Sequence, residues 1–226
     1  MEKLLTISKD YLLVPVKKEA EKRLLTFWCG TEKIYEFEIS CVDTEDTYPE
    51  DFCAVLPVKK WKGQKIRIEG DVCESLLSAV REKESAVRKD SGYIHFVPET
   101  GWINDPNGLI YCEGKYHLYF QHNPVDVNWG NMSWGHAEST DLLHWVQKED
   151  VMFPDENGTM FSGCAILNER GLLGLPKDTP VFFYTVAGSA SEWSKGKKFV
   201  QRIAYSTDQG ETLTKIEENV LEHIEA

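Results

Sequence analysis

The sequence has no apolar run long enough to cross a bilayer and no excess of basic residues. Its 37 acidic residues outnumber its 25 basic residues, which gives a formal net charge of −12. Nucleic acids and anionic membrane surfaces both require a basic protein face. The charge therefore argues against both as partners, and the missing apolar run argues against a membrane-spanning helix.

The sequence also lacks the residue spacings of a metal site. None of the six cysteines belongs to a Cys-x-x-Cys pair, and no histidine cluster accompanies them, so we expect no metal and no cofactor. Several cysteines fall in apolar, strand-like runs, which favours reduced, buried thiols, although disulfides remain open. The cysteines are Cys29, Cys41, Cys53, Cys73, Cys112 and Cys164.

The N-terminus shows no basic start followed by a long apolar segment, so no signal peptide is predicted. Together with the expected reduced thiols, this favours a cytoplasmic protein. A secreted protein whose leader has been trimmed is the alternative.

The composition that is present indicates a globular chain. Hydrophobic residues make up 42% of the 226 residues and seven are tryptophan, which suffices for one large domain or two small ones. Residues 1–74 contain short alternating runs separated by turn-rich spacers, and we predict a small N-terminal β-sandwich there. The runs are 11–16, 24–28, 34–39, 52–58 and 65–68.

A change of character separates this region from the rest of the chain. Residues 75–92 predict a short helix that begins at a Ser75 cap, followed by a charged, solvated linker over 81–90. The second unit is expected over 93–226. Its first feature is a β-hairpin, with strands over 109–112 and 115–120 joined at Glu113-Gly114.

The most informative segment is 101–108, which reads Gly-Trp-Ile-Asn-Asp-Pro-Asn-Gly. Pro106 restricts φ and Gly108 allows a positive φ, so we predict a stiff, tight turn that aims Asp105 in one direction. A carboxylate held in this way can act as a nucleophile or a metal ligand. Taken alone, such a segment is more often a plain turn.

Three further motifs follow in order, so the segment does not stand alone. They are Gln-His-Asn-Pro at 121–124, Asn-Trp-Gly-Asn-Met-Ser-Trp-Gly-His-Ala at 128–137, and Phe-Ser-Gly-Cys-Ala at 161–165. Together the four motifs resemble the first half of the catalytic domain of glycoside hydrolase family 32, the invertase, inulinase and levanase family. The resemblance extends from about His95 to Thr214 and implies an all-β fold, a five-bladed β-propeller that hydrolyses β-fructofuranosidic bonds with retention.

An internal repeat agrees with a propeller. The segment 137–141 recurs at 204–208, an offset of 67 positions, as equivalent strands of successive blades would. At that repeat length only about two blades fit into the second unit, or about three at a generic blade size of ~45 residues. We therefore expect an incomplete propeller.

The resemblance assigns roles to residues of the first half. It implies that Asp105 is the nucleophile and that Asn104 lies beside it. Gln121 and Ser162 would bond fructose hydroxyl groups, while Trp129 and Phe161 would form apolar walls. Such a mixture of polar groups and aromatic walls suits a carbohydrate pocket.

Several residues of these motifs also have a structural interpretation. Trp134 is expected to pack within a blade, and Trp129 could do the same. His136 and His144 are expected to bond across strands. Cys164 stands where the family has serine; this nearly isosteric exchange should preserve packing, and no neighbouring histidine would activate the thiol as a nucleophile.

Two motifs of the family are missing from the 226 residues: Glu-Cys, which carries the acid/base, and Arg-Asp-Pro, which carries the transition-state-binding aspartate. Two hypotheses follow. The chain is an N-terminal portion of a fructosidase or fructosyl transferase, or it is a non-catalytic carbohydrate-binding or assembly protein. The expected partner is a fructose-containing oligo- or polysaccharide, and an open propeller edge would favour a homodimer.

Overall fold

The computed structural model describes residues 1–42, 47–85 and 95–222. It divides into two compact units, the first formed by Met1–Val87, Thr100–Trp102 and Asn123–Asn131, the second by the rest of the chain. The described residues form sixteen β-strands in four antiparallel sheets, with one short α-helix and one 3₁₀ turn. The fold is therefore all-β. No helix in the described ranges has the length and apolarity that a membrane crossing requires.

The first unit contains two antiparallel sheets. One has the strand order β1-β6-β3-β4, and the other has the order β5-β2-β7. The strands are β1 Glu2–Thr6, β2 Tyr11–Val16, β3 Lys22–Cys29, β4 Glu32–Ser40, β5 Phe52–Pro57, β6 Lys65–Gly70 and β7 Arg81–Lys83, with the 3₁₀ turn at Lys59–Trp61 between β5 and β6. All five runs predicted from alternation are strands, and β1 and β7 are additional.

Alternating residues of β4 build the core of this unit. Tyr35, Phe37 and Ile39 are all buried, as the alternation predicts. The Tyr35 hydroxyl donates a hydrogen bond of 2.7 Å to the Pro57 carbonyl oxygen, so it links β4 of the first sheet to β5 of the second. Glu36, on the opposite face, is also buried because its carboxylate pairs with Lys33.

The helix begins earlier and ends sooner than the sequence predicts. Helix α1 covers Glu74–Ala79, and its N-cap is Cys73, which makes no side-chain cap hydrogen bond. The Ser75 cap is therefore wrong. The predicted linker is also wrong at its start, since Arg81–Lys83 pairs with β2 as strand β7; residues 86–94 lie outside the described ranges.

A loop of the motif region belongs to the first unit. The Asp126 side chain in Asn123–Asn131 is fully buried and accepts a hydrogen bond of 2.7 Å from the Ser40 hydroxyl. The Asn131 side chain pairs with the backbone of β4. Its Nδ2 donates to the Glu38 carbonyl oxygen at 2.8 Å, and its Oδ1 accepts from the Glu38 N–H at 2.9 Å. These bonds fix the loop that carries Trp129.

The second unit contains two sheets of four successive antiparallel strands. The first has the order β11-β10-β9-β8 and the second β12-β13-β14-β15, with β16 also paired to β14. This meander order is that of propeller blades. The strands are β8 Trp102–Cys112, β9 Lys115–Asn123, β10 Ser133–Ser139, β11 Val146–Gln147, β12 Thr159–Leu167, β13 Pro180–Ala187, β14 Val200–Tyr205, β15 Thr214–Lys215 and β16 Leu221–Glu222.

The internal repeat corresponds to the same position in the two sheets. Ala137 in β10 pairs with Gln147 of β11, and Ala204 in β14 pairs with Lys215 of β15. After each third strand a serine hydroxyl donates to an aspartate two residues later, at 3.2 Å in 137–141 and 2.7 Å in 204–208. The repeated sequence is thus a shared serine–aspartate turn, and the predicted equivalence of the two strands is confirmed.

The tight turn predicted over 104–108 is wrong. These residues lie inside β8, which continues through Pro106 and Gly108 to the predicted hairpin at Glu113-Gly114. Gly108 does have the expected positive φ, at 49°. The missing side chain of Gly108 also lets β8 approach its neighbours closely. A Cβ at this position would lie 3.0 Å from Tyr119 Cδ2 and 3.2 Å from Phe182 Cδ1.

The core of the second unit is an aromatic cluster shared by the two sheets. Tyr119 and Phe182 meet edge to face with ring centroids 5.0 Å apart, and Trp134 meets Phe182 at 6.3 Å. All three side chains are fully buried, as are the methionines of the cluster. The packing role predicted for Trp134 is confirmed.

A charged network links the ends of β9, β10 and β11 in the first of these sheets. The Glu138 carboxylate accepts hydrogen bonds from Lys115 at 3.0 Å and from Lys148 at 3.4 Å, and Lys148 also reaches Glu211 at 2.7 Å. Burial alone would raise the pKa of Glu138, but the hydrogen bond from Lys115 and the charge of Lys148 outweigh it and lower the pKa to about 2.

Replacing Gly108 by alanine should destabilise the second unit through overpacking. Gly30→Ala is the matched control, because Gly30 has a similar φ of 60° with no atom within 4 Å of the added Cβ. We expect the control to lose about 1 kcal/mol from its backbone conformation and Gly108→Ala to lose a further ~1–3 kcal/mol from the crowded Cβ. Urea unfolding measures both; equal losses would contradict the packing argument.

The Glu138 network predicts a pH-dependent contribution to stability. A folded pKa of about 2 against the ordinary 4.5 means that the stabilisation is present above pH 4.5 and is lost as the pH falls toward 2. Glu138→Gln should therefore lower the free energy of unfolding at neutral pH, and the deficit should shrink below pH 4.5. Urea titrations at several pH values test this, with the exposed Glu113→Gln as control. A deficit independent of pH would contradict the prediction.

Candidate active site

Asp105 and Ser162 meet at the surface of the second unit. The Ser162 hydroxyl donates a hydrogen bond of 2.7 Å to Asp105 Oδ2. Asp105 is exposed in β8, and no other described residue donates to its carboxylate. Ser162 therefore fixes one carboxylate oxygen and leaves Oδ1 open toward solvent.

A β-bulge in β12 presents Ser162 to the carboxylate. The register with β13 runs from Met160 opposite Val186 to Gly163 opposite Tyr184, so Phe161 and Ser162 together face one residue, Thr185. A bulge of this kind re-aims the side chains that it contains. Glycine is required beside it, because a Cβ at position 163 would collide with the Phe183 carbonyl oxygen.

Gln121 connects β9 to the same stretch of β12. Its side-chain Nε2 donates to the Met160 carbonyl oxygen at 2.8 Å, and the residue is buried. No residue in the described ranges donates to its Oε1. The remaining acceptor is thus available beside the bulge, as a sugar-binding amide requires.

Asn107 is a candidate site residue that the motifs alone did not single out. It is buried two positions after Asp105. In the amide orientation that satisfies its neighbours, its oxygen accepts from Gln121 Nε2 at 3.0 Å and from the Gln121 backbone N–H at 3.3 Å, and its nitrogen donates to the Pro106 carbonyl oxygen at 3.2 Å. The 101–108 motif was the available signal, since Asn107 lies within it.

Phe161 is half-buried and held on both sides. Its carbonyl oxygen accepts a hydrogen bond of 3.0 Å from Trp134 Nε1, and its ring meets Phe199 edge to face with centroids 5.8 Å apart. Three consecutive residues of β12, Met160 to Ser162, are therefore each bonded to a different part of the unit. This gives the bulge a fixed geometry.

The other two predicted site residues are Asn104 and Trp129. Asn104 is half-buried one position before Asp105 in β8. Trp129 is 55% exposed, and it belongs to the loop that groups with the first unit. Trp129 therefore lies in the first unit, whereas the other predicted site residues lie in the second. These are Asn104, Asp105, Gln121, Phe161 and Ser162.

Cys164 departs from the expectation of buried cysteines. It is exposed in β12, whereas Cys41, Cys73 and Cys112 are buried as expected. All six thiols are free. The exposure follows from strand alternation, since Cys164 and Ile166 point outward while Ala165 packs toward the core.

One group of possible metal ligands lies away from this site. Atoms of His117, His136 and Glu138 lie within 4.8 Å of one another. The imidazoles bond to each other across β9 and β10 at 3.0 Å, as predicted for His136, and burial lowers the pKa of His117. Since lysines already neutralise the Glu138 carboxylate, the arrangement is explained as a structural one.

The hydrogen bond that the structure gives to the His144 side chain lies within a turn, not between strands. Its Nδ1 lies 2.7 Å from Asp141 Oδ2 within the turn after β10, and the imidazole is exposed. Hydrogen bonds from the His144 backbone and side chain keep the pKa of Asp141 well below its usual range. His144 therefore stabilises the serine–aspartate turn.

The names of proteins with similar sequences describe enzymes that act on fructosides. The chain is 44% identical over 124 residues to a levanase of Bacillus subtilis, which covers 54% of this chain and 17% of the levanase. It is 41% identical over 137 residues to an extracellular exo-inulinase of Aspergillus awamori, of which it covers 26%. The chain thus spans about a quarter or less of the length of these relatives.

Solved structures show the same relation. A β-fructofuranosidase from Schwanniomyces occidentalis, complexed with fructosyl-erythritol, matches 58% of this chain at 36% identity with a TM-score of 0.50, and 26% of that chain is covered. A glycoside hydrolase family 32 protein from Bifidobacterium adolescentis matches 99% of this chain and 40% of its own at 22% identity with a TM-score of 0.50, which shows a likeness of fold alone.

The sequence model of the Glycosyl hydrolases family 32 N-terminal domain matches residues 95–225. This range contains β8 to β16, the Asp105–Ser162 pair and the bulge. The chain belongs to glycoside hydrolase family 32.

Proposed function

We propose that this chain supplies the nucleophile half of a retaining β-fructofuranosidase site, with Asp105 as the nucleophile. The observation that carries the proposal is the hydrogen bond of 2.7 Å from Ser162 to Asp105 Oδ2. It orients the carboxylate and leaves Oδ1 as the oxygen that attacks the anomeric carbon of a fructosyl unit. The glycosidases to which the chain is similar support this assignment.

The substrate would be held by the groups around the bulge. Gln121 Oε1 accepts a hydrogen bond from a fructose hydroxyl, and Asn104 lies beside the nucleophile. Phe161 provides an apolar wall, and the family resemblance implies the same role for Trp129. We infer a substrate with a terminal β-fructofuranosyl unit, as in sucrose, inulin or levan.

A retaining mechanism also needs a second carboxyl group about 5 to 5.5 Å from the nucleophile. It protonates the leaving oxygen, and it then activates the water or the acceptor sugar that breaks the fructosyl–Asp105 ester. The 226 residues contain neither the Glu-Cys nor the Arg-Asp-Pro motif that would provide this chemistry. We propose that the complete site forms in a longer polypeptide.

The proposed architecture follows from this function. Residues 93–226 would contribute the first blades of a five-bladed propeller, whose inner strands converge on an axial pocket. Residues 1–74 would form a β-sandwich accessory domain, connected through 75–92. A cytoplasmic location remains part of the proposal.

A non-catalytic role is the second candidate, and the missing acid/base motif favours it for the 226 residues themselves. Under this hypothesis the site around Gln121 and Phe161 binds a fructoside without cleaving it. The 226-residue chain would then bind a fructan without releasing fructose, and a longer polypeptide would not cleave it either.

We expect the purified 226-residue chain to release no measurable fructose from sucrose, inulin or levan. General acid catalysis contributes roughly 10² to 10⁴ in rate, and the positioned donor is absent. A reducing-sugar assay measures the release, with an intact family enzyme as the positive control. Turnover by the 226-residue chain would show that another residue acts as the acid.

In a longer polypeptide that carries an acid/base, Asp105→Asn should abolish turnover and leave sugar binding largely intact, because the amide is nearly isosteric but not nucleophilic. Asp178→Asn, at an exposed position in the loop before β13, is the control and should retain the wild-type rate. Kinetics and calorimetric binding measure the two effects. Wild-type turnover by Asp105→Asn would remove Asp105 from the nucleophile role.

A further inference from the structure

A small cavity in the second unit is lined by cationic and amide side chains. It has a volume of about 200 Å³ and lies at the start of β14. This is below the roughly 300–1,000 Å³ of pockets that hold drug-sized molecules, so a small ligand fits it better than an oligosaccharide. The lining residues are Asn157, Lys197, Lys198, Val200, Arg202 and Asn219.

Arg202 is the buried charge at this cavity. The residue is only 8% exposed, and its Nε donates a hydrogen bond of 2.9 Å to Asn219 Oδ1. Its Nη1 lies 3.9 Å from a Glu217 oxygen, which is too far for a hydrogen bond. Within the described ranges, nothing accepts a hydrogen bond from Nη1 or Nη2. The two Nη groups are therefore free to donate to a ligand that carries acceptor oxygens.

Two lysines add charge at the rim. Lys197 and Lys198 are exposed, and neither forms an ion pair with any residue that the structure describes. Lys198, Val200 and Arg202 stand at alternate positions and therefore share one face of the extended chain. Three positive charges thus converge on one cavity in a chain whose net charge is −12.

Two acidic side chains of this region do not form a hydrogen bond with the Arg202 guanidinium. The Glu217 side chain is 85% exposed and only approaches Arg202. Asp155 already pairs with Lys215 at 2.7 Å. The amides of Asn157 and Asn219 offer further polar contacts at the cavity wall.

We propose that this cavity binds a phosphate group. A guanidinium presents paired N–H donors that match two oxygens of a tetrahedral anion, and lysine adds compact positive charge. Arg202 would donate from Nη1 and Nη2, and Lys197 and Lys198 would neutralise the remaining charge. The site is independent of the nucleophile, so it stands whether or not the chain takes part in fructoside cleavage.

The cavity adjoins one wall of the candidate sugar site through the strand itself. Phe199 lies between Lys198 and Val200 in sequence, on the opposite face, and its ring packs edge to face against Phe161 at 5.8 Å. A ligand that fixes the start of β14 would therefore also steady the Phe161 wall.

Isothermal titration of the 226-residue chain with inorganic phosphate, at constant ionic strength, tests the proposal. Arg202→Gln removes the buried donors, and Lys198→Gln removes one rim charge. Lys195→Gln is the matched control, because Lys195 is 76% exposed, pairs with Glu192 and does not line the cavity. We expect the Kd to rise roughly tenfold or more for Arg202→Gln, which loses charge-assisted hydrogen bonds, to rise roughly threefold for Lys198→Gln, which loses one exposed charge, and to stay unchanged for the control.

Circular dichroism checks that each variant folds, and Lys198→Gln alone decides the test if Arg202→Gln does not fold. A parallel titration with glycerol phosphate distinguishes the source: tighter binding of the ester indicates a phosphorylated metabolite, and equal or weaker binding indicates the free ion. The proposal is overturned if the wild-type chain binds neither probe, or if Lys195→Gln weakens binding as much as Lys198→Gln.

Discussion

The candidate active site depends on one irregularity, the β-bulge at Phe161 and Ser162. Because two residues of β12 stand opposite one residue of β13, the Ser162 hydroxyl turns toward Asp105 and bonds to it at 2.7 Å. A regular strand would alternate through this point and aim one of the two side chains elsewhere. The close approach of β12 to Phe183 at Gly163 leaves no room for a side chain there, so the bulge is supported from within its own sheet.

Buried polar groups connect the bulge to the strands that carry the other site residues. Gln121 bonds the Met160 carbonyl oxygen, and Asn107 bonds both Gln121 and the backbone of β8. In a buried setting each of these bonds is costly to break, because the separated groups would be left without partners. The exposed carboxylate of Asp105 is therefore held by a rigid base, which is the arrangement that a positioned nucleophile requires.

The local sequence pattern predicted most strands correctly, but it did not predict the backbone conformation at 104–108 or the start of the helix. Alternation correctly predicted the buried face of β4, and the Glu113-Gly114 pair between two strand-like runs correctly predicted the hairpin. The segment 104–108 was read as a turn because Asn, Pro and Gly favour turns locally, yet it lies within β8. Tertiary packing overrides this preference, since Gly108 fits between Tyr119 and Phe182. The Ser75 cap failed in a similar way, because the helix already begins at Glu74, after Cys73.

The order of motifs along the chain was enough to indicate the family and the all-β class, because those features depend on residue type and spacing. The contacts around Asp105 could not be predicted in this way. The role of Asn107, the bulge, the grouping of the Trp129 loop with the first unit and the cationic cavity at Arg202 all depend on contacts between residues far apart in sequence. Such contacts arise from strand register and from the packing of one sheet on another, and a linear pattern does not contain them.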